Sequence, residues 1–207
     1  MTSHELLYFD GGGRAEMIRI CLSVAKVDWK DTRFSWDEWK EHIQSTTPLG
    51  FVPVLKINNV DHVQSLALIR YAGRLAGMYP QDNNNPLDGL IVDEVMESVN
   101  ELMSKAPHNS DPQELERLRK DYQATLMTRY AAFFESVIQR SGGVGVLSSS
   151  TVTIADLAIK IMVRSFSSGT WDFLDTNFFE SYPGIMATTK LVDNFEPINA
   201  YYAEHEN

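Results

Sequence analysis

The spacing of apolar residues changes in kind at a polar, turn-rich stretch, GMYPQDNNNP, at residues 77–86. Before this stretch, short apolar runs typical of strands alternate with helical spacings. After it, apolar residues recur every three or four positions, which predicts helices. Because glycine, proline and asparagine at this density favour a connection, we predict a first domain at residues 1–79, a linker at 80–86 and an all-helical domain at 87–207.

The pattern before the linker predicts the element order βαβ, irregular helix, ββα. The strands are predicted at residues 5–9, 28–34, 52–57 and 62–63, and the helices at 15–25, 36–45 and 65–76. Asn58-Asn59 suits the tight turn of a hairpin. The last helix is expected to turn inward Leu66, Ile69, Ala72 and either Leu75 or Ala76. This order, βαβαββα, is the thioredoxin-like arrangement, an α+β unit with a small mixed sheet and helices on both faces.

Three helical signals follow the linker. An apolar stripe predicts a helix over 87–106 with the inward positions Val92, Val95, Met96, Val99, Leu102, Met103 and Ala106. Asp111 is expected to cap the next helix, with Pro112 in its first turn and Glu114 reaching back to the cap. That helix is expected to end at glycines 142, 143 and 145 and to bury Leu115, Leu118, Tyr122, Leu126, Phe133 and Val137. A second capping box is predicted at Thr153 and Asp156, with Val152 against Leu157 as a hydrophobic staple.

Composition excludes several classes of protein. The chain has 207 residues and a formal charge of −10, and no cluster of lysine and arginine that could neutralise phosphates stands out. We therefore expect no nucleic-acid partner. No run reaches the roughly 20 apolar residues that span a bilayer, and the N-terminus lacks the features of a signal peptide, so we expect no membrane insertion and a cytoplasmic location. Cys21 is the one cysteine, which excludes an internal disulfide and a CxxC redox pair.

Two residues beside the predicted glycine loop could act on a thiol. Tyr8 ends the first strand, where its hydroxyl can project toward a ligand. Because a free tyrosine has a pKa of about 10, it is a donor at pH 7 and suits the stabilisation of a thiolate. A strand tyrosine that only packs is the alternative. Arg14 follows the glycines, where its guanidinium could hold an anion and polarise Tyr8, or form an ordinary surface ion pair.

Two backbone features could bind a peptide-like ligand. Gln64-Ser65 stands between a strand and a helix, and with Ser65 as the N-cap the positive end of that helix could bind a carboxylate. A serine cap also needs no ligand. A cis bond at Val52-Pro53 would turn the Val52 amide and carbonyl outward for pairing with an added strand. Because cis is the minor form of such bonds, the residues alone favour trans.

The other titratable residues indicate no metal site. No metal-ligand spacing occurs among the histidines, which are expected at the surface: His4, His42, His62, His108 and His205. A solvated or interface face is favoured over a divalent metal site for the carboxylates on one helical side, Asp93, Glu94, Glu97 and Glu101. Cys21 lies on the apolar face of the first helix and is expected to be inert core.

Taken in order, these residues resemble a known family. The likeness is carried by residues 7–16 (LYFDGGGRAE), Trp39, residues 47–55 (TPLGFVPVL) and residues 64–67 (QSLA). The capping box at 153–156 is similar to one in the helical domain of the same family. The chain resembles the cytosolic glutathione transferases, nearest to the sigma-type class. The likeness covers almost the whole chain, strongly to about residue 76 and more loosely afterwards.

The resemblance implies glutathione as co-substrate, with no other cofactor and no metal. Tyr8 would hydrogen-bond the glutathione sulfur, and Arg14 would support both Tyr8 and the second substrate. The pocket for a hydrophobic electrophile would include Phe9, Arg14 and Met103. In this family an acidic residue of the partner subunit reaches the γ-glutamyl amine, and Glu101 occupies the matching place. The resemblance therefore implies a homodimer.

The remaining contacts to glutathione are also implied by the resemblance. Gln64 and Ser65 would hold the γ-glutamyl end, and Val52, before a cis Pro53, would pair with the cysteinyl backbone. Trp39 would contact the glycyl end, and Gln44 stands where the family usually has a lysine for the glycyl carboxylate.

Three positions depart from the family pattern. Gln44 can donate only a neutral hydrogen bond, Phe51 replaces a polar residue next to Val52, and Glu101 is longer than the usual aspartate. We expect these changes to weaken glutathione binding without altering the sulfur chemistry. After about residue 168 the likeness fades, and the second-substrate pocket is not mapped by it.

The leading hypothesis is an enzyme that adds the glutathione thiolate to hydrophobic electrophiles, with peroxide reduction or a prostaglandin-type isomerisation as accessory or narrower activities. A non-catalytic carrier of glutathione or hydrophobic ligands, or a structural relative, is the second hypothesis. Retention of Tyr8, Arg14, Gln64 and Ser65 together argues against it. A thioredoxin-like disulfide reductase is excluded because no cysteine stands at the predicted sheet edge.

Overall fold

The computed structural model describes residues 2–80 and 85–205. The chain divides into two compact units, one formed by Met1–Gln81 with Pro197–Asn207 and the other by Asp82–Glu196. This division assigns residues 197–207 to the first unit, whereas the sequence placed them in the helical domain. The predicted linker at 80–86 falls mostly on residues 81–84, which lie outside the described residues.

In the described part of the first unit, four strands form a mixed sheet. The strands are β1 (His4–Phe9), β2 (Trp29–Phe34), β3 (Val54–Ile57) and β4 (Val60–His62), in the order β2-β1-β3-β4. β1 is parallel to β2 and antiparallel to β3, and β3 is antiparallel to β4. The turn between β3 and β4 has positive φ at both Asn58 (51°) and Asn59 (64°), which asparagine tolerates in tight hairpins. The predicted thioredoxin-like order is confirmed.

Helices pack against this sheet. α1 covers Glu16–Val24 and α3 covers Ser65–Leu75, and the two contact each other. Between β2 and β3 lies the predicted irregular helix, made of α2 (Trp36–Glu38), a π-helical turn (Trp39–Ile43) and a 3-10 turn (Gln44–Thr46).

The inward face of α3 differs from the prediction. Its buried residues are Leu68, Ile69, Ala72 and Gly73. Leu66 was expected to face inward but is only half-buried. Of the two alternatives for the last inward position, Leu75 is 41% exposed and Ala76 is half-buried.

Two predictions about burial in the first unit have different outcomes: the one for His4 is wrong, and the one for Cys21 is confirmed. His4 was expected at the surface, but it is buried, because β1 begins at His4 and turns His4 and Leu6 to the same inner face. Its Nε2 lies 2.9 Å from the Tyr71 hydroxyl. Cys21 is fully buried, and burial raises the pKa of its thiol to about 12, which confirms it as inert core.

The second unit is helical. Its helices are α4 (Pro86–Ser104), α5 (Pro112–Tyr122), α6 (Thr128–Arg140), α7 (Ile154–Ser167) and α8 (Pro183–Asp193), and α9 (Glu196–His205) runs on into the first unit. The apolar stripe of α4 is buried as predicted, except that Met103 is only half-buried. α5, a π-helical turn (Gln123–Met127) and α6 form the one continuous helix that the pattern predicted. Among the described residues, no helix combines the length and hydrophobicity that a membrane crossing requires.

Two predictions for α5 are wrong, one about its N-terminal cap and one about its buried residues. Asp111 accepts hydrogen bonds from the amides of Gln113 and Glu114 as expected, but Glu114 pairs with Arg117 instead of reaching back. The Asp111 amide donates to the side chain of Asn109, so the cap is satisfied without Glu114. On the helix side, Leu115, Leu118, Leu126 and Phe133 are only half-buried.

Arg119 is buried, whereas the neighbouring Leu118, which was expected to be buried, is only half-buried. Its guanidinium donates to the carbonyls of Pro107 and Asp172 and lies over the Trp171 ring. These polar partners allow a charged side chain to be buried beside the apolar ones.

The capping box at the start of α7 is confirmed. The Thr153 hydroxyl accepts from the Asp156 amide, and Asp156 accepts from the amides of Thr153 and Val146, both at 2.7 Å. Asp156 is fully buried. Burial raises the pKa of its carboxyl group, while the hydrogen bonds from Thr153 and Val146 act to lower it.

We expect Asp156→Ala to lower the free energy of unfolding by about 3 kcal/mol, because a helix cap is lost and two buried amides lose their acceptor. Urea unfolding monitored by circular dichroism at one protein concentration measures this. The matched control is Glu38→Ala, in the exposed capping box of Ser35 and Glu38. Equal losses in the two variants would contradict the assigned role of burial at Asp156.

Candidate functional site

A cavity of about 490 Å³ opens in the first unit at the end of β1. Its lining combines residues expected to act together, Tyr8, Arg14, Val52, Pro53, Gln64 and Ser65, with three more, Leu49, Phe51 and Val63. These residues come from four separate stretches of the chain. The fold therefore places a hydroxyl group, a guanidinium group, a strand start and a helix start around one space large enough for a small peptide.

Tyr8 reaches this cavity because of the sheet register. Residues His4 to Leu7 of β1 pair with β3, and the pairing stops at Leu7 opposite Val54. Tyr8 therefore lies beyond the paired part of β3, while β2 still supports it through Arg33. Its hydroxyl oxygen accepts a hydrogen bond of 3.1 Å from the Arg14 backbone amide. With that lone pair engaged, the hydroxyl proton can be donated to a ligand.

Glycine is required at position 13 for this contact. Gly13 has a φ of +47°, and a Cβ atom there would lie 2.6 Å from the Tyr8 hydroxyl oxygen and 3.0 Å from its Cε1. Both the backbone conformation and the space therefore exclude a side chain. The predicted glycine loop is thus fitted to the Tyr8 hydroxyl.

The start of α3 forms another wall of the cavity and corrects the predicted cap. Gln64, not Ser65, is the N-cap residue, its side chain makes no capping hydrogen bond, and Ser65 is the first helical residue. Gln64 has φ 74° and ψ 102°, a conformation that costs a non-glycine residue about 1–3 kcal/mol. The first amides of a helix have no partner within it and carry the positive end of its dipole, so this wall suits an anion.

The segment before β3 lines the opposite part of the cavity. The Val52–Pro53 bond is cis, as the resemblance implied and against the expectation from the residues alone. Phe51, one of the departures from the family pattern, is 74% exposed, and Leu49 is 53% exposed. The cavity therefore has an apolar rim on this side.

Three of the predicted site residues of this unit do not line the cavity. Trp39 is 4% exposed and stacks on Phe34 with ring centroids 5.8 Å apart. Phe9 is half-buried, with its ring 5.7 Å from that of Trp39 and 5.5 Å from that of Trp36. Gln44 is exposed, and its amide nitrogen lies 3.5 Å from the Gly50 carbonyl. Their predicted contacts with ligands stay predictions.

Glu101 and Met103 belong to α4 of the helical unit. The carboxylate of Glu101 accepts from Lys105 and from the Tyr130 hydroxyl, and these bonds, Lys105 first, lower its pKa. The hydrogen bond to Glu101, followed by burial, raises the pKa of the Tyr130 hydroxyl. Within the described residues, no group of histidine, cysteine, aspartate and glutamate side chains has a geometry that could hold a metal ion.

Sequence reasoning missed Arg19, which lies on α1 and is 1% exposed. It donates to the Gly11 carbonyl at 2.5 Å and pairs with Asp31 of β2 at 3.0 Å. The available signal was an arginine among the apolar residues of a helix that follows a glycine loop.

The fold and the cavity define a thioredoxin-like unit with a peptide-sized site, joined to a helical unit. The family model described as "Glutathione S-transferase, C-terminal domain" matches residues 97–205. The chain therefore belongs to the glutathione S-transferase family.

Individual relatives cover the whole chain. S-crystallin SL11 of Nototodarus sloanii is 28% identical over 100% of this chain and 98% of its own length. The probable glutathione S-transferase gst-36 of Caenorhabditis elegans is also 28% identical over 100% of this chain and 98% of its own. The solved structure of prostaglandin synthase D of Nilaparvata lugens has a TM-score of 0.82 and 27% identity, covering 99% of this chain and 98% of its own.

For the reaction proposed below, in which Tyr8 donates to a glutathione thiolate, we expect Gly13→Ala to slow addition to a chloronitrobenzene tenfold to a hundredfold, because a displaced Tyr8 hydroxyl loses a charge-assisted hydrogen bond worth about 1.5–3 kcal/mol. Steady-state rates with saturating glutathione measure this. Gly11→Ala is the control, because its added Cβ meets no atom within 4 Å. If both variants retained the wild-type rate, the fit of Gly13 to Tyr8 would have no functional meaning.

Proposed function

We propose that this chain is a glutathione transferase of the sigma type that adds the glutathione thiolate to hydrophobic electrophiles, with Tyr8 stabilising the thiolate. The observation that carries the proposal is the cavity that Tyr8 and Arg14 share with the start of α3 and the cis Val52–Pro53 segment. Family membership supports the use of glutathione.

The free energy needed to lower the thiol pKa is similar to what the hydrogen bond from Tyr8 can contribute. Lowering a thiol pKa by two units takes about 2.7 kcal/mol of preferential interaction with the anion. A hydrogen bond to a charged group contributes about 1.5–3 kcal/mol. Because the Tyr8 oxygen accepts from the Arg14 amide, its own proton is polarised toward the sulfur, and hydrogen bonds in such a chain strengthen one another. Arg14 lines the same cavity and brings a positive charge to it.

We propose one orientation for bound glutathione, with its γ-glutamyl end at the start of α3 and its glycyl end toward Trp39 and Gln44. The γ-glutamyl carboxylate is placed at the α3 start, where Gln64 and Ser65 supply polar groups and the helix dipole favours an anion. The cysteinyl backbone pairs with Val52, and the glycyl end lies toward Trp39 and Gln44. Glutathione is the co-substrate, and the proposed reaction uses no further cofactor.

The assembly and the second substrate follow from the same assignment. In a homodimer, Glu101 of the partner subunit approaches the γ-glutamyl amine, for which its lowered pKa keeps it ionised. On the first unit, the electrophile contacts Phe9 and Arg14. Peroxide reduction is a further proposed activity, and the similarity to a prostaglandin synthase supports a prostaglandin-type isomerisation as a narrower version. We place the enzyme in the cytoplasm.

A non-catalytic role is the second candidate, and one observation favours it. S-crystallin SL11 is as similar to this chain as a probable transferase is. A ligand carrier or structural relative would need the fold and a cavity, but no thiolate. The bound thiol pKa separates the two roles.

We expect the thiol of protein-bound glutathione to have a pKa clearly below its free value, and Tyr8→Phe to raise it by about one to two units, because one charge-assisted hydrogen bond is lost. Thiolate absorbance in the ultraviolet across a pH titration measures both values. Tyr71→Phe is the control, since Tyr71 bonds His4 outside the cavity. A bound pKa equal to the free value in the wild type would instead support the carrier.

We expect Gln44→Lys to tighten glutathione binding by up to about fivefold, because an exposed ion pair with the glycyl carboxylate contributes about 0.2–1 kcal/mol. The thiol pKa should not move, since position 44 lies outside the cavity lining. Calorimetric titration measures the affinity. Gln139→Lys, on α6, changes the net charge equally and should leave the affinity unchanged; an equal gain there would assign the effect to long-range charge.

A further inference from the structure

Three consecutive glycines, Gly11 to Gly13, form a flexible backbone segment just before Arg14. The hydrogen bond from the Arg14 amide to Tyr8 requires this segment to be held in one conformation. Glycine loses more conformational freedom on folding than any other residue, and it has no side chain through which it can be anchored. Any restraint on this loop must therefore act on its backbone. The Asp10 amide donates to the Phe34 carbonyl at 3.2 Å, which fixes the start of the loop to β2. The rest of the loop has to be held from elsewhere.

The side chain of Arg19, on α1, supplies that restraint. Its Nη1 donates to the Gly11 carbonyl at 2.5 Å and to the Gly12 carbonyl at 3.4 Å, and its Nη2 donates to the Phe9 carbonyl at 3.4 Å. The guanidinium is planar and has donors in a fixed fork, so one side chain can hold several carbonyls in one arrangement.

The fork itself is fixed in orientation. Nε of Arg19 donates to both carboxylate oxygens of Asp31, at 3.1 and 3.0 Å. Asp31 lies on β2 and also accepts from Arg33, which in turn binds Asp10. Arg19 therefore links the sheet to the glycine loop. Because its side chain is 1% exposed, its charge is screened little by solvent.

The same guanidinium lies next to Tyr8. The Cζ atom of Arg19 is 5.8 Å from the centroid of the Tyr8 ring. The loop that Arg19 holds delivers the Arg14 amide to the Tyr8 hydroxyl. Arg19 thus lies near the Tyr8 ring and also holds the carbonyls of Gly11 and Gly12, which precede Arg14 in the loop.

We propose that Arg19 is a positioning residue for the thiolate site, whose grip on the carbonyls of Phe9, Gly11 and Gly12 fixes the Arg14 amide against the Tyr8 oxygen. The functional consequence rests on the proposed function, since the residue acts through Tyr8 on the glutathione sulfur. The positioning itself is a property of the protein without glutathione.

The helical unit provides a matched control. Arg119 is also buried, donates to the carbonyls of Pro107 and Asp172, and lies 5.4 Å from the Trp171 ring centroid. Arg119→Met removes the same kind of buried clamp as Arg19→Met and therefore reproduces a general loss of stability. Urea unfolding of both variants sets the scale of that loss.

The first measurement uses ligand-free protein. The amide resonance of Arg14 in a ¹⁵N–¹H correlation spectrum reports its hydrogen bond to Tyr8, and Tyr8→Phe defines the position without that bond. We expect Arg19→Met to move the resonance at least half of the way toward the Tyr8→Phe position, and Arg119→Met to leave it unchanged. An Arg14 resonance at its wild-type position in Arg19→Met would overturn the proposal.

The second measurement uses bound glutathione. We expect Arg19→Met to raise the bound thiol pKa by about half a unit or more, which lowers the thiolate fraction about threefold at a pH well below that pKa, and Arg119→Met to leave it unchanged. A wild-type thiol pKa equal to the free value would defeat the proposed function, while the Arg14 resonance would still decide the role of Arg19.

Arg19→Lys keeps the measurement possible if Arg19→Met does not fold. Lysine retains the charge but has no planar fork, so we expect the Arg14 resonance to remain displaced. Wild-type resonance and thiol pKa in Arg19→Lys would overturn the three-carbonyl clamp, because charge alone would then be sufficient.

Discussion

The hydrogen bond from the Arg14 amide to the Tyr8 oxygen is the contact on which the proposed site depends. A neutral phenol can donate or accept, and a thiolate needs it to donate. The amide occupies the oxygen as an acceptor and leaves the proton for the ligand. The bond exists because β1 extends beyond its pairing with β3 and because the glycine loop turns back over the ring. The chemistry is therefore set by backbone geometry on both sides.

This dependence explains why the side chains that line the site are not sufficient by themselves. A Cβ at position 13 would occupy the space of the Tyr8 hydroxyl, and the loop has no side chains of its own to hold it. The buried Arg19 of α1 and the half-buried Asp31 of β2 connect the loop to the sheet. The Tyr202 hydroxyl of α9 also donates to Glu16 at the start of α1, so the C-terminal helix braces the same region.

Features that depend on neighbours in sequence could be predicted, and features that depend on the fold could not. The Asn58-Asn59 turn, the Thr153–Asp156 cap and the α4 stripe are local, and each was predicted. His4, Arg19 and Gln64 were not, because burial beside Tyr71, a grip on loop carbonyls and a positive φ at a helix start arise only once distant segments meet. The site residues were gathered by resemblance, since no spacing rule links Tyr8 to Gln64.

The backbone strain and steric constraints at the site distinguish the enzyme from the non-catalytic role. Gln64 holds a positive φ that costs about 1–3 kcal/mol, and its side chain caps nothing in return. Position 13 admits no side chain, and a chain with a net charge of −10 opposes an anionic tripeptide at long range. A structural protein gains nothing from the strained Gln64 or from a position 13 without a side chain, because the sheet and helices do not need them. A site that must orient a hydroxyl group and receive a carboxylate by local groups needs each of them, which favours the enzyme.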